Sequence, residues 1–469
     1  MGAHDIELSR ISKLFLDRDE TSADVALARR REFTLTLLCG GDVARSYVLQ
    51  LAALTAAALA SRCFPDAVRV ACPRTLLEAP LLVWPSLKLT FGQALADLSG
   101  ATASADEKEL AHGLVFGNAP APDGALRVTF DGWIAKVGPM RDVPRLPERQ
   151  YCSLAGTLAA SIAVSELFLS FAEINIEATR RIVGLSLWRP NLNIGDPAAL
   201  GLPVEYLPQK LWVLGLGHLG NAYLWSLATL PYGNASPVEF FLNDFDEVEP
   251  ENVETGILFT PGRRGLKSRV CADWLERRGF GTRLIERRFD GSFRRQRREP
   301  GLALCGFDSN PARRDLGAAQ FLRVVESGLG GTASNFDAIS LHTLPNPRMT
   351  DELWPDLSEE EEAKRVEHQQ RVARDNPAYK SIREEECGRY DLAGKSVAVP
   401  FVGMAAASLV VAELLRLPSD GAAYTDIKLR LESPTKLFTQ TTGNYGVKDL
   451  EGLAFCDAVS LSCDGAPIS

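Results

Sequence analysis

The sequence predicts an α/β protein with two related domains, and three observations support this prediction. The chain has 469 residues, which exceeds the usual size of one domain. A strand, a turn and an apolar helix follow one another after Phe33 and again after Leu211. A helix rich in small residues occurs late in each half, starting near Tyr151 and Val399. These repeated patterns indicate two copies of one α/β unit.

In the first half, "FTLTLL" from Phe33 is typical of a buried strand. A turn, a long apolar helix and the strand "VRVAC" follow it. The turn, Cys39-Gly40-Gly41-Asp42, has no third glycine. Asp42 would also place a carboxylate beside any bound phosphate, and like charges repel. We therefore expect that the first half has lost nucleotide binding.

The second half repeats the order with "LWVLGLG", the helix "NAYLWSLATL" and the strand "VEFFLND". The late helices of the two halves also correspond, with Glu166 and Glu413 near their ends. The pattern predicts an internal duplication with a period of about 200 residues. The alternative is that two unrelated α/β domains share these general features.

We expect the first domain at residues 1–190, a linker at 191–208 and the second domain at 209–469. The linker is rich in proline and glycine and lacks periodicity. Residues 350–395 form a crossover segment with few apolar residues, which predicts an exposed helix or a mobile connection.

Composition excludes several classes of protein. The net charge of −9 argues against non-specific nucleic-acid binding, and the basic run 293–298 is typical of a solvated loop. No stretch looks long and apolar enough to cross a bilayer, and the first residues do not resemble a secretory signal, so we expect a cytoplasmic protein. The nine cysteines are scattered without a C-x-x-C pair, so we expect neither disulfides nor zinc.

The candidate nucleotide site begins at Gly215, Gly217 and Gly220, between a predicted strand and a helix. Glycines allow the backbone to approach phosphates, and the helix N-terminus directs N–H groups at them. The next strand ends near Asp244 and Asp246, where a carboxylate can accept the ribose hydroxyls. This combination suits NAD and ATP equally.

Residues further along favour ATP. Lys267 lies at a predicted helix start after a glycine, where a lysine can bind a triphosphate. Asp308 follows a buried strand and would lie at the same sheet edge as the glycines, where it could hold Mg²⁺, with Asn310 and Arg313 nearby. Taken singly, Asp308 also suits a helix N-cap.

The order GLGHLG, DFDEVEPEN, GLK and FDSNPAR resembles the adenylating superfamily that includes ubiquitin-activating enzymes and bacterial thiamine- and molybdopterin-pathway adenylyltransferases. The resemblance covers roughly residues 207–417. It implies two Rossmann-like adenylation domains in an intrachain pseudodimer, the first inactive, with ATP and Mg²⁺ bound by the second. It also implies that Asp244 binds the ribose, with Asp246 as the alternative, that Asn252 and Lys267 contact phosphates, and that Asp308 binds the metal.

The sequence departs from the family pattern at Thr255, where the family has an arginine three positions after the asparagine. Arg263, Arg264 or an arginine of the other half are the candidates to replace it. In this family an arginine near the start of the partner subunit enters the active site, and Arg10 is the matching position here.

The resemblance also gives Cys387 a role, because members of the family carry their catalytic or sulfur-carrying cysteine in this region. An activating enzyme traps its reactive acyl adenylate as a thioester, and the exposed setting of Cys387 suits that step. The predicted substrate is a ubiquitin-like protein, and a conjugating enzyme is the predicted partner, as in bacterial ubiquitin-like conjugation operons. The alternatives are sulfur transfer in cofactor biosynthesis, an NAD-dependent oxidoreductase and a non-catalytic scaffold.

Overall fold

The computed structural model describes residues 9–100, 103–104, 112–380 and 392–461. Cys387 and Cys463 lie outside these residues. The role predicted for Cys387 therefore stays a prediction.

The first half forms a seven-stranded sheet whose strand order is β3-β2-β1-β4-β5-β6-β7. The five strands from β3 to β5 are parallel, and β6 and β7 continue the sheet in antiparallel fashion. The strands are β1 (Leu35–Cys39), β2 (Val68–Ala71), β3 (Ala103–Ser104), β4 (Gly113–Phe116), β5 (Leu126–Asp131), β6 (Ile134–Pro139) and β7 (Val183–Ser186).

The second half forms an eight-stranded sheet with the order β11-β10-β9-β12-β13-β14-β15-β16. Its strands are β9 (Lys210–Leu214), β10 (Glu239–Asn243), β11 (Gly281–Ile285), β12 (Leu302–Cys305), β13 (Arg323–Leu329), β14 (Ala338–Leu344), β15 (Ala422–Arg430) and β16 (Leu437–Asn444). The strands from β11 to β13 are parallel and the last three are antiparallel. The first seven strands of this sheet thus repeat the order of the first sheet, in agreement with the predicted duplication.

Helices cover the sheets and join the two halves. They are α1 (Ser12–Asp19), α2 (Ala23–Glu32), α3 (Tyr47–Cys63), α4 (Arg74–Leu77), α5 (Phe91–Ser99), α6 (Leu154–Phe171), α7 (His218–Ala228), α8 (Asn252–Thr255), α9 (Lys267–Glu276), α10 (Asn310–Arg314), α11 (Thr350–Leu353), α12 (Glu359–Asp375), α13 (Pro377–Lys380) and α14 (Pro400–Arg416). Helix α6 packs on α3 in its own half and on α14 of the other half, and α14 packs on α7. One apolar core therefore extends across both halves.

The expectation that no stretch is long and apolar enough to cross a bilayer is wrong. Leu154–Phe171 and Pro400–Ser419 both reach that length and mean hydropathy. Within these windows 89% and 100% of the residues are buried inside the protein, as in the core helices of soluble proteins. Their apolar character follows from packing at the contact between the halves, because a helix surrounded on all sides needs no polar face.

Each of the two late helices carries an ion pair near its C-terminal end, and the first involves Glu166 of α6. The carboxylate of Glu166 accepts hydrogen bonds from the N–H of Thr179, at 2.9 Å, and from the guanidinium of Arg181, at 2.6 Å. Arg181 also donates to the backbone carbonyl of Glu432 in the second half, at 2.7 Å. The pair thus links the end of α6 to the residues that follow β15.

The second pair lies within α14, between Glu413 and Arg416. The carboxylate of Glu413 accepts from the N–H of Tyr424, at 3.1 Å, and from Arg416. Arg416 donates to the carbonyl of Leu187, which directly follows β7 of the first half. Each half therefore sends an arginine of such a pair to a backbone carbonyl of the other half, just after β15 or β7.

Both connecting segments contain regular structure among the described residues. The charged part of the crossover segment forms the exposed helix α12, one of the two structures expected for it. Its Ser358 caps the helix in a reciprocal pair with Glu361. The predicted linker contains the strand β8 (Tyr206–Pro208), which pairs with β17 (Phe455–Asp457) near the end of the second domain.

Candidate functional site

The glycine loop, residues 215–220, connects β9 to α7 and leaves the N-terminus of that helix open. Gly215 has φ +77°, a left-handed conformation that favours glycine. Gly217 occupies the N-cap position, and no side chain caps α7 there. The first N–H groups of an α-helix have no partner within the helix. The N-terminus of α7 is therefore available to bind an anion.

Gly220 allows the loop to fold closely against the first turn of α7. A Cβ atom at this position would lie 2.0 Å from the carbonyl oxygen of Gly215. Because that neighbour is backbone, the loop itself would have to move to relieve the contact.

We expect Gly220→Ala to weaken ATP binding at least tenfold, because it displaces the N–H groups that face the open end of α7. Isothermal titration calorimetry with ATP measures this change. The control is Gly41→Ala in the first half, where an added Cβ meets nothing within 4 Å. Unchanged ATP affinity in the Gly220 variant would contradict the assignment of this loop to the nucleotide.

Asp244 holds the glycine loop to the end of β10. One carboxylate oxygen accepts from the N–H of Leu216, at 2.6 Å, and the other from the N–H of Asp246, at 2.8 Å. Burial raises the pKa of Asp244, and the two backbone hydrogen bonds partly oppose this shift. Each oxygen retains a lone pair, so the carboxylate can also accept a ribose hydroxyl.

Lys267 is the first residue of α9, as the sequence predicts, and it faces the same sheet edge. Its ammonium donates to the carboxylate of Asp246 at 3.1 Å, and its N–H donates to the carbonyl of Asp246 at 2.8 Å. The lysine side chain is 12% exposed and that of Asp246 is 53% exposed. The ion pair therefore joins a mostly buried ammonium to a half-exposed carboxylate.

Asp308 lies beside the glycine loop because β12 pairs in parallel with β9. Parallel neighbours end at the same sheet edge, and a Cβ added at Gly215 would lie 2.9 Å from the ring of Phe307. Asp308 is exposed, and Ser309 rather than Asp308 occupies the N-cap position of α10. The structure therefore brings this carboxylate to the predicted edge, and the helix-cap interpretation is wrong.

Arg313 faces inward, towards the loop that carries Asp308. Its guanidinium donates to the carbonyl of Phe307 at 3.0 and 2.7 Å and forms a 2.9 Å ion pair with Glu326, which is fully buried. The remaining nitrogen lies 3.4 Å from the side-chain oxygen of Asn310. The arginine therefore fixes the backbone before Asp308, and a phosphate contact by Arg313 stays a prediction.

Asn252 begins the short helix α8, and its side-chain oxygen accepts from the N–H of Glu249 at 3.0 Å. Thr255 is buried and contributes no charge. Arg263 and Arg264 are the candidates to supply the positive charge that the family has at this position. Arg263 pairs with Asp273 at 2.6 Å, whereas Arg264 is exposed without a hydrogen bond or ion pair among the described residues.

Arg10 comes from the first half and contacts the second half at Ser396. Its Nε donates to the carbonyl of Ser396 at 3.0 Å. Burial lowers the pKa of Arg10, while the charges of Glu251, Asp308 and Glu254 raise it. The arginine predicted to cross between the halves therefore lies in the electrostatic field of Asp308.

His218, within the glycine loop, was not singled out from the sequence. It is the first residue of α7, and its Nε2 is buried without a hydrogen-bond partner among the described residues. Burial and the charge of Arg10 lower the pKa of His218 to about 3, so the imidazole is neutral. A Cβ added at Gly403 would lie 2.3 Å from this nitrogen, which shows that the ring packs directly on α14.

The corresponding turn of the first half contains a carboxylate of its own. The side chain of Asp42 accepts from the N–H of Asn118, at 3.0 Å, and pairs with Arg145 at 2.6 Å. An added Cβ at Gly117 would lie 2.4 Å from an Asp42 oxygen, so this carboxylate fills the space beside the turn. Asn118 follows β4 as Asp308 follows β12, which makes the two turns directly comparable.

The chain is similar to proteins described as bacterial E1-like. Residues 34–187 match the BilD N-terminal domain and residues 207–421 the BilD C-terminal domain. The bacterial E1-like protein BilD of Collimonas sp. (strain OK412) is 34% identical over 427 residues, or 89% of this chain and 90% of that protein. A crystal structure of E. coli MccB with AMPCPP and selenomethionine MccA matches with a TM-score of 0.32 and 14% identity, covering 69% of this chain and 96% of that one.

Proposed function

The chain belongs to the BilD family of bacterial E1-like proteins, and from this membership we propose that it activates the C-terminal carboxylate of a ubiquitin-like protein by ATP-dependent adenylation. E1-like adenylating chemistry is what the relatives support. The ubiquitin-like substrate, the thioester and the conjugating partner are the finer parts of the proposal.

One observation carries the proposal, namely the difference between the two equivalent turns. In the second half no side chain caps the N-terminus of α7, Asp244 accepts from the N–H of Leu216 in the preceding loop, and Lys267 pairs with Asp246. In the first half the carboxylate of Asp42 already accepts an N–H and an arginine at the corresponding turn. A second anion would be repelled there. We infer one active and one inactive nucleotide site in an intrachain pseudodimer.

The adenylation step is a displacement at phosphorus. An oxygen of the substrate carboxylate attacks the α-phosphate of ATP, the bond to the β-phosphate breaks, and pyrophosphate leaves. We assign Asp244 to the ribose, with Asp246 as the alternative, and Asn252, Lys267 and Arg10 to the phosphates. These residues position the reactants and stabilise charge, so the step needs no general base.

Asp308 is the residue that would hold Mg²⁺ together with the phosphates of ATP. The metal would neutralise part of the phosphate charge. The carboxylate of Asp308 fits this role because it is exposed at the sheet edge and has no hydrogen bond among the described residues. No cluster of three or more His, Cys, Asp or Glu side chains suits a metal in the part of the chain that the structure describes. A single carboxylate completed by phosphate oxygens is the arrangement that Mg²⁺ commonly adopts.

The second step transfers the acyl group to the enzyme. The thiolate of Cys387 attacks the acyl carbon of the adenylate, a thioester forms and AMP leaves. Burial raises the pKa of Cys271, Cys305 and Cys152, which lie within the core. Such thiols are poor nucleophiles, which supports the choice of a cysteine in the crossover segment.

We expect Cys387→Ser to abolish the thiol-sensitive adduct with the ubiquitin-like protein, while exchange of labelled pyrophosphate into ATP stays within about twofold of the unmodified chain. Non-reducing gel electrophoresis and the exchange assay measure the two steps separately. The substrate supplied is a ubiquitin-like protein encoded beside the gene.

Cys456→Ser is the matched control, because the thiol of Cys456 is half-buried. An adduct that persists in the Cys387 variant would contradict the assignment of the thioester. A thiocarboxylate product formed with sulfide would favour sulfur transfer instead. Absence of exchange together with tight NAD binding would contradict adenylation itself.

A further inference from the structure

The residues just before α1 are attached to the second half through one buried carboxylate, that of Glu254 in α8. The hydroxyl of Ser9 donates to this carboxylate at 2.8 and 2.9 Å, and the N–H of Ile11 lies 3.4 Å from it. Ser9 and Ile11 are both buried, and Arg10 lies between them. The backbone on both sides of Arg10 is thus held by a residue of the other half.

A buried arginine balances the charge of Glu254. The guanidinium of Arg30 lies 3.1 Å from the Glu254 carboxylate and also donates to the carbonyls of Arg62 and Cys63, each at 2.7 Å. Arg30 is fully buried and Glu254 is 7% exposed. Because a buried charge is tolerated only when it is paired and hydrogen-bonded, this geometry strongly restrains both residues.

The position of α8 is in turn fixed from the first half. Arg62 in α3 donates to the carbonyls of Val253, Ile257 and Phe259 at distances of 2.8–3.2 Å. Helix α8 also carries Asn252, one of the proposed phosphate contacts. One rigid contact between the halves therefore supports both Arg10 and Asn252.

We propose that Glu254 is a positioning residue that holds Arg10 in the nucleotide site. Glu254 does not reach the reacting atoms and acts on the backbone that carries Arg10. The proposal rests on the adenylation function, in which the guanidinium of Arg10 contacts phosphate.

The alternative is that Glu254 only stabilises the fold. Both roles predict a lower stability for Glu254→Ala, so stability does not separate them. They differ in their dependence on Arg10, because a positioning residue loses its effect when the residue it positions is removed.

We expect Glu254→Ala to reduce the rate of pyrophosphate exchange about tenfold or more, since small displacements of a positioned group are costly. In an Arg10→Ala background the same substitution should change the rate less than twofold. An equal reduction in both backgrounds would overturn the proposal, as would no reduction in either. Glu166→Gln, which alters a buried ion pair of the first half, controls for lost stability.

Ser9→Ala provides a second variant that exposes no unpaired buried charge. It removes the hydroxyl that donates to Glu254 and should reduce the exchange rate several-fold, again only when Arg10 is present. Should Glu254→Ala fail to fold, this variant decides the question with the same outcomes.

Chemical modification tests the position of Arg10 without any assay of the reaction. Phenylglyoxal modifies free guanidinium groups, and mass spectrometry reports the rate at each arginine. We expect modification of Arg10 to accelerate at least fivefold in Ser9→Ala and Glu254→Ala, with Arg74, which is 87% exposed, as the reference. An unchanged rate at Arg10 would overturn the proposal even if the chain adenylates its substrate. If modification of Arg10 accelerates in the variants but the unmodified chain shows no pyrophosphate exchange, Glu254 positions Arg10 as proposed, and the proposed adenylation function is rejected.

Discussion

Replacing Asp308 by asparagine is expected to lower the rate of pyrophosphate exchange by about 100-fold or more, the largest effect on activity that we predict for a single exposed residue. Asparagine keeps the size of the side chain and removes its charge. Because Asp308 is exposed and Ser309 takes the N-cap position of α10, the substitution should leave the fold intact. Exchange measured over a range of Mg²⁺ concentrations reports the effect.

The dependence on Mg²⁺ identifies the cause. If Asp308 holds the metal with the phosphates, the variant needs a higher Mg²⁺ concentration for half-maximal exchange. Asp123→Asn, an exposed aspartate of the first half, is the control and should exchange as the unmodified chain does. A variant at Asp308 with normal exchange and normal Mg²⁺ dependence would show that the metal is held elsewhere.

Much of the site could be predicted because its residues follow strands. Hydrophobic patterning indicated β9, β10 and β12, and parallel strands end at one sheet edge. The glycine loop, Asp244 and Asp308 are accordingly close together, with Leu216 and Asp244 in direct contact at 2.6 Å. The equal strand orders of the two sheets likewise follow from patterns that recur in both halves.

The contacts that fix the site could not be predicted in this way. Arg30 and Glu254 are separated by 224 positions, and neither lies in a recognisable motif. Arg313 illustrates the same limit, because an arginine near a proposed phosphate site is expected to face the ligand. In the structure it faces the buried Glu326 instead. Such pairings depend on which helices meet, which follows from the tertiary fold and not from local spacing.

The prediction from hydropathy was wrong in the opposite direction. No stretch was expected to cross a bilayer, yet Leu154–Phe171 and Pro400–Ser419, which contain α6 and α14, reach the necessary length and mean hydropathy. Their lack of a polar face results from the contact between the halves, which buries both sides of each helix. An apolar sequence pattern indicates that a helix is buried, but it does not show whether protein or lipid surrounds the helix.

Removing the carboxylate of Glu413 is expected to destabilise the protein by about 3–5 kcal/mol, the largest effect on stability that we predict. Glu413→Ala would leave the guanidinium of Arg416 buried without a counter-charge, since both side chains have 0% exposure. The N–H of Tyr424 and the hydroxyl of Tyr445 would lose the acceptor that they share. Urea unfolding followed by circular dichroism measures the change.

Two further variants separate the buried charge from the loss of contacts. Changing Glu413 and Arg416 together to leucine should recover part of the lost stability, because no unpaired charge then remains in the core. Glu360→Ala removes an exposed partner of Lys364 in α12 and should not shift the urea midpoint measurably. If the double substitution is as destabilising as Glu413→Ala, the loss comes from the hydrogen bonds that both variants lose, those that Glu413 accepts from Tyr424 and Tyr445. These hydrogen bonds, rather than charge balance, would then determine the contribution of Glu413 to stability.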